Sequence, residues 1–154
     1  MRRARVQDLL KTAERHTRSG RLGRAVTFYR KVLVTAQHGD SEWELAHLRL
    51  GDLHLGLGQT EYAIAHLWRA RLLNRDEPEY AFMLGRALRL NGRLDAARTH
   101  LFDALDSSSL RVDAYIEMAL SYQVEGRRTD ARSLLRLALR FGQERPEITS
   151  LLRE

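Results

Sequence analysis

The 154-residue chain has no cysteine, only two lysines, no alternating strand pattern and no apolar run long enough to span a membrane. Without cysteine there is no disulfide frame and no thiolate ligand, which fits a reducing compartment. The opening MRRARVQDLLKTAER is basic, but it carries Asp8 and Glu14 and lacks the apolar stretch of a secretory signal. The reading that follows is a cytoplasmic protein with no membrane partner. Catalytic signatures are missing as well: there is no CxxC, no HExxH, no nucleophile elbow and no phosphate-cradling glycine loop. Leu55-Gly56-Leu57-Gly58 does not open on a strand, and Asp76-Glu77 falls where a helix start explains it. The six histidines stand at 16, 38, 47, 54, 66 and 100, and only His47 and His54 share one helical face. Their spacing suits packing better than a metal pair, so neither enzyme activity, nor a metal, nor a cofactor is expected.

What is present is a period. Gly58, Gly92 and Gly126 each precede one alanine by five residues (Ala63, Ala97, Ala131) and another by twelve (Ala70, Ala104, Ala138). Leu67, Leu101 and Leu135 stand between the alanines, so the chain repeats every 34 residues. Leu84 with Leu88 and Met118 with Tyr122 recur at i, i+4, the helical rather than the strand interval. Each unit therefore reads as two helices joined at a glycine in a left-handed or tight-turn conformation that a β-carbon would penalise. A small residue at the eighth position of the first helix is expected to admit the alanine at position 20 of the unit, so Ala97→Arg should be ruinous. Ser41 with Glu44 and Asp76 with Glu79 read as capping boxes, and Asp95 and Thr129 as caps of second helices. From Gly20 to Gly58 the interval is 38 residues. The four extra residues, about one helical turn, are expected to lengthen a second helix through Val34-Thr35-Ala36-Gln37.

In one frame the repeats begin near Val6 and at Glu44, Pro78 and Val112, and the pattern resembles the tetratricopeptide repeat. Leu50-Gly51 and Leu84-Gly85 match that family's Leu-Gly pair, Tyr115 and Tyr122 its first-helix aromatics, and Pro78 recurs as Pro146. His47 and Ala81 stand where tryptophan is usual, and Thr12-Ala13 where Leu-Gly is expected. The resemblance implies an all-α fold, a right-handed α-solenoid of antiparallel helix pairs, as a single domain over 1–154. Its repeats would cover about 6–43, 44–77, 78–111 and 112–145, with a capping segment at 146–154.

The resemblance also implies a concave groove lined by first helices. Its positions would be Gln7, Leu10, Glu14, Thr17 and Arg18 in repeat one, and Leu45, Leu48, Asp52, Leu55 and Gly56 in repeat two. Repeat three would offer Glu79, Phe82, Arg86, Arg89 and Leu90, and repeat four Asp113, Ile116, Leu120, Gln123 and Val124. Leu48, Leu55, Phe82, Ile116 and Leu120 would form an apolar track beside Arg49, Asp52, Arg86 and Arg89, with Leu45 and Gln123 completing the partner-binding set. Two placements are open for these apolar residues, the groove itself or the contact with the neighbouring repeat. Groove placement predicts that Leu48→Glu and Phe82→Glu spare stability and remove binding. The family's chaperone-tail clamp is absent: its sites read Leu10, Glu14, Arg49, Glu79 and Met83, or one repeat later Leu48, Asp52, Met83, Asp113 and Glu117. The implied function is a non-enzymatic scaffold, an adaptor or chaperone-like module holding an extended or helical segment of a partner protein. The short segment from Pro146 leaves Leu135, Leu139 and Phe141 to be covered by Ile148, Leu151 and Leu152 or by a second copy, a homodimer through the C-terminal face.

The net charge of +6 comes from 24 arginines with the two lysines against 20 acidic residues. Arg128, Arg132, Arg136 and Arg140 form an i, i+4 ladder with Arg127 beside it. The alternative function is therefore association with nucleic acid through arginine-rich outer faces, which would be steeply salt-dependent. Stacking aromatics are missing from the ladder except Phe141, so the arginines are expected to solvate an end of the array and nucleic acid is disfavoured as a partner.

Overall fold

Nine helices form along the chain in a computed structural model that describes residues 1–142 and 145–153, and no strand occurs among them. They are α1 (Arg2–Arg18), α2 (Leu22–Thr35), α3 (Ser41–Gly56), α4 (Thr60–Leu73), α5 (Pro78–Leu90), α6 (Leu94–Asp103), α7 (Arg111–Val124), α8 (Arg128–Phe141) and α9 (Pro146–Arg153). A 3₁₀ turn at Ala104–Asp106 follows α6. The chain divides after Asn74 into two compact units. In the first, α1 packs on α2, α2 on α3 and α3 on α4, with α1 also meeting α3. In the second, α5 packs on α6, α6 on α7, α7 on α8 and α8 on α9, with α5 also meeting α7.

Every helix pair turns by the same local device. Gly20, Gly58, Gly92 and Gly126 adopt φ of 69°, 71°, 83° and 74°, the left-handed region expected for them. The next amide reaches back five residues: Arg21 N–H donates to His16 at 2.9 Å, Gln59 to His54 at 2.8 Å, Arg93 to Leu88 and Arg127 to Tyr122 at 2.9 Å each. This is the Schellman closure of a helix C-terminus. The residue that closes one helix is also the N-cap of the next, so the expected caps do not form. Asp95 and Thr129 fall inside the first turns of α6 and α8, whose N-cap residues are Arg93 and Arg127. Ser41 likewise lies inside α3 behind Asp40, its hydroxyl on Glu42, and Glu77 rather than Asp76 precedes α5. None of these helices has a side-chain cap hydrogen bond.

The irregular interval also resolves differently from expectation. α2 ends at Thr35, with the same 14 residues as α4 and α8, and Ala36 is already extended at ψ 158°. The additional turn instead opens α3, which has 16 residues against 13 in α5. Gly39 at φ 91° and the Asp40 carboxylate, which accepts the Gln37 N–H at 2.9 Å, turn the chain early enough for Ser41 to start the helix.

Packing within a pair rests on the absent side chain at the eighth position. A β-carbon on Gly85 would lie 2.6 Å from Leu101 Cγ and 3.0 Å from the Ala97 carbonyl oxygen, and one on Gly51 would lie 2.5 Å from Leu67 Cγ. The group admitted is thus chiefly the leucine between the two alanines; Ala97 itself approaches only at Gly85. The first unit buries Val6, Leu10, Ala13, Ala25, Tyr29, Val32, Ala46, Leu50 and Leu53 together. In the second, Val112, Ile116, Ala119, Ala131, Leu135, Ala138 and Ile148 close one core, with Ile148 of α9 fully covered.

Candidate functional site

In the first unit, the faces of α1 and α3 form a cleft of about 210 Å³ lined by Glu14, Thr17, Arg18, Tyr29, Arg49, Asp52 and Leu53. Five of these stand at first-helix positions named from sequence; Tyr29 and Leu53 were not foreseen, because they belong to the core beneath. Tyr29 is 1% exposed and forms the floor with Leu53. Burial raises its phenol above the ordinary value, while a hydrogen bond with Thr17 and the charge of Arg49 oppose that rise. Glu14 holds Arg18 at 3.5 Å. Arg49 and Asp52 are exposed, and neither takes a hydrogen bond or ion pair among the described residues. Two opposite charges, one turn apart on α3, thus line a small cleft with an aromatic floor.

The apolar residues of the expected track are distributed unevenly. Leu48 is buried, 5% exposed, whereas Leu45 and Leu55 are half-buried. In the second unit Ile116 is buried, Leu120 is half-buried against the same core, and Phe82 is half-buried against Ala81, Ala104 and Ala114. Leu48 and Ile116 therefore have almost no surface to offer a partner. Gln123 lines a separate cleft of about 190 Å³ with Arg128, Ala131, Arg132 and Leu151.

Arg86 and Arg89 are already engaged. Both reach Glu117 of α7, with Arg86 Nε at 3.4 Å and Arg89 Nε at 2.5 Å, and the side chains of Arg89 and Glu117 are 16% and 12% exposed. A ligand carboxylate would have to compete with Glu117. This tempers the expectation of a free arginine fork, since Arg86 is half exposed while Arg89 is only 16% exposed beside Glu117. At the C-terminal face Phe141 remains exposed, stacked on Tyr115 with 5.9 Å between centroids and with Arg111 over its ring.

The α3 histidines are buried, as packing residues would be, and they form part of a longer aromatic series. His38 meets Trp43, Trp43 meets His47 edge-on at 4.0 Å, and His47 meets His66 of α4. His66 lies parallel to His54, whose ring stacks on Tyr62. His47 Nδ1 and His66 Nδ1 share a hydrogen bond at 2.8 Å, and His54 Nδ1 donates to Gln59 Oε1 at 2.7 Å. Burial, with Arg69 on α4 adding to it, lowers His47 to about 4; burial, then the neighbouring histidines and arginines, lowers His66 to about 4. Both rings are neutral at pH 7. No group of three metal-competent side chains occurs among the described residues.

No family model and no curated protein matches the sequence. Solved structures do match. MamA is similar over 91% of this chain and 80% of its own, at 21% identity and a TM-score of 0.79. PilF of Pseudomonas aeruginosa matches over 98% of this chain and 67% of its own, at 15% identity and a TM-score of 0.80. YrrB, a TPR protein with an unusual peptide-binding site, matches over 95% and 91%, at 19% identity and a TM-score of 0.67. The fold is that of the tetratricopeptide repeat. Its helix pairs turning at Gly58, Gly92 and Gly126 are elements read from the sequence, whereas the leucine seated against Gly51 and Gly85 takes the place expected for an alanine. Among the described residues no helix is long and apolar enough to cross a membrane.

Proposed function

We propose that this chain is a non-enzymatic interaction module, an adaptor or chaperone-like scaffold of the cytoplasm, that holds an extended or helical segment of a partner protein against the faces of its first helices. The cleft between α1 and α3 carries the proposal: Arg49 and Asp52, one turn apart on α3, stand unpaired among the described residues beside a floor made by Tyr29 and Leu53. Arg49 can fork onto a partner's carboxylate and Asp52 can accept from its lysine or arginine, so the cleft suits a segment that carries both charges near an apolar side chain. The likeness of fold to YrrB supports a peptide-binding reading by analogy only.

The test is a nuclease-treated pull-down at high salt with the tagged chain and an Arg49→Ala, Asp52→Ala double variant. Both changes are on the surface, so melting should not move. A protein retained by the wild type and lost from the variant supports this site. Equal retention by both, or retention of nothing by either, overturns it.

A further inference from the structure

The outer face of α8 carries four arginines at successive i, i+4 positions. Arg128, Arg132, Arg136 and Arg140 are all exposed. Elsewhere in this unit, Arg86 and Arg89 hold Glu117, Arg98 holds Asp95 and Glu125, Arg127 holds Asp130, and Arg145 holds Asp113. Among the described residues, none of the four α8 arginines has a carboxylate partner.

Solvating an end of the array does not by itself require this arrangement. Mixed-sign pairs hold Arg86, Arg89, Arg98, Arg127 and Arg145, and Arg93 and Arg153 stand singly, whereas three like-charged i, i+4 steps on one helix oppose the helix that carries them. Ala131, Leu135 and Ala138 turn one side of α8 into the core; Arg136 and Arg140 stand well away from that side, whereas Arg128 and Arg132, exposed as well, border the cleft that they line with Ala131 and Leu151. With a rise of 1.5 Å and a turn of 100° per residue, the stripe is about 18 Å long and winds about 120° around the helix. A nucleic-acid duplex presents one charge per about 1.7 Å of its axis, so a stripe of that length faces more phosphates than it has arginines.

We propose that the outer face of α8 binds the phosphate backbone of double-stranded nucleic acid without reading its sequence. The surroundings select this occupant. The residues between the arginines on the same side are Thr129 and Ser133, which offer no ring for the stacking that single strands require. A bilayer needs an apolar helix face to insert, and that of α8 is committed to the core. A protein partner needs apolar anchors, and among the described residues the stripe is bordered by Leu139, 36% exposed, and by half-buried Leu151 in the cleft beside Arg128 and Arg132, a small apolar area for such a partner. This surface is separate from the α1/α3 cleft and does not depend on it.

The test titrates the full chain against a short fluorescent DNA duplex of arbitrary sequence while salt is raised. Four phosphate contacts predict a slope of log K against log salt of about −3.6, a loss of about 150-fold between about 50 and 200 mM. In Arg132→Gln, Arg136→Gln, which keeps helix propensity and should keep the melting temperature, the slope should become shallower by about 2. Arg49→Ala should leave duplex binding unchanged. Failure to bind at the lowest salt, an unchanged slope in the double variant, or tighter binding to the same single strand or to phosphatidylserine vesicles would each overturn the proposal.

Discussion

Acidification should unfasten the first unit between pH 6.5 and 4. His47 is 2% exposed; its Nδ1 bonds His66, and its Nε2 is buried without a partner among the described residues. The charges of Arg69 of α4 and Arg30 of α2, with His38 and His54, add to burial in disfavouring a proton on the pair. Its value of about 4 stands about 2.5 units below the ordinary 6.5, so below pH 4 a proton on this ring favours the unfolded chain by about 3 kcal/mol. The direction follows from proton uptake: between pH 6.5 and 4 the unfolded state binds more protons than the folded one. Stability is therefore full above 6.5 and lost as pH falls. At pH 5 the loss from one such ring is about 2 kcal/mol. A second proton adds to it, because both rings would then be charged with 5.0 Å between centroids.

The assay is urea unfolding of the full chain at pH 7.5, 6, 5 and 4.5, followed by fluorescence, since Trp43 packs edge-on against His47 and reports this region. His66→Gln should flatten the pH dependence by roughly half of that loss. Carboxylates contribute only at the acid end. Glu42, held below the usual range first by a backbone hydrogen bond and further by Ser41, Gln7 and Arg3, is one of them, so the comparison is between wild type and variant at equal pH. A wild-type midpoint that does not move from pH 7.5 to 4.5, or a variant that loses as much as the wild type, would refute the reasoning.

Gly85→Ala should destabilise the second unit by about 1–3 kcal/mol despite a gain of about 1 kcal/mol in helix propensity, because its β-carbon would meet both the Leu101 side chain and the Ala97 carbonyl oxygen. Chemical unfolding should show a smaller penalty when Leu101→Ala is already present. Leu48→Glu is expected to cost more than about 2 kcal/mol, since it places a charge where Leu48 is now 5% exposed; an unchanged melting temperature would return Leu48 to the surface. Arg89→Ala leaves Glu117, 12% exposed, with only the more distant Arg86, and should cost about 2 kcal/mol; Glu117→Gln in the same background should recover part of it in a melting experiment.

The turns were legible because their information is local. A glycine at each turn position and leucines at helical intervals suffice to specify a Schellman closure and the helices on either side of it. Caps were misplaced for a related reason. Asp95 and Thr129 are good cap residues, but the turn is so short that its last residue serves both helices, and their side chains arrive two residues past the N-cap. Of the expected site, Arg49 and Asp52 are exposed beside a cleft, while Leu48 and Ile116 are sunk in packing that no repeat position discloses.

The sequence by itself determined that the chain is helical, that its helices come in pairs of one length class, and where the pairs turn, since each of these depends on residues within a few positions of one another. Tertiary structure decided the rest. It set α3 a turn longer than its counterpart and rotated Leu48 inward while leaving Leu45 and Leu55 half-exposed. It joined His47 to His66 and Arg89 to Glu117 across 19 and 28 residues, and it left the α8 arginines without a carboxylate among the described residues. The physical reason is one of range. A hydrogen-bonded turn is settled by its own backbone, whereas burial and charge pairing depend on which second helix arrives opposite, and at what rotation.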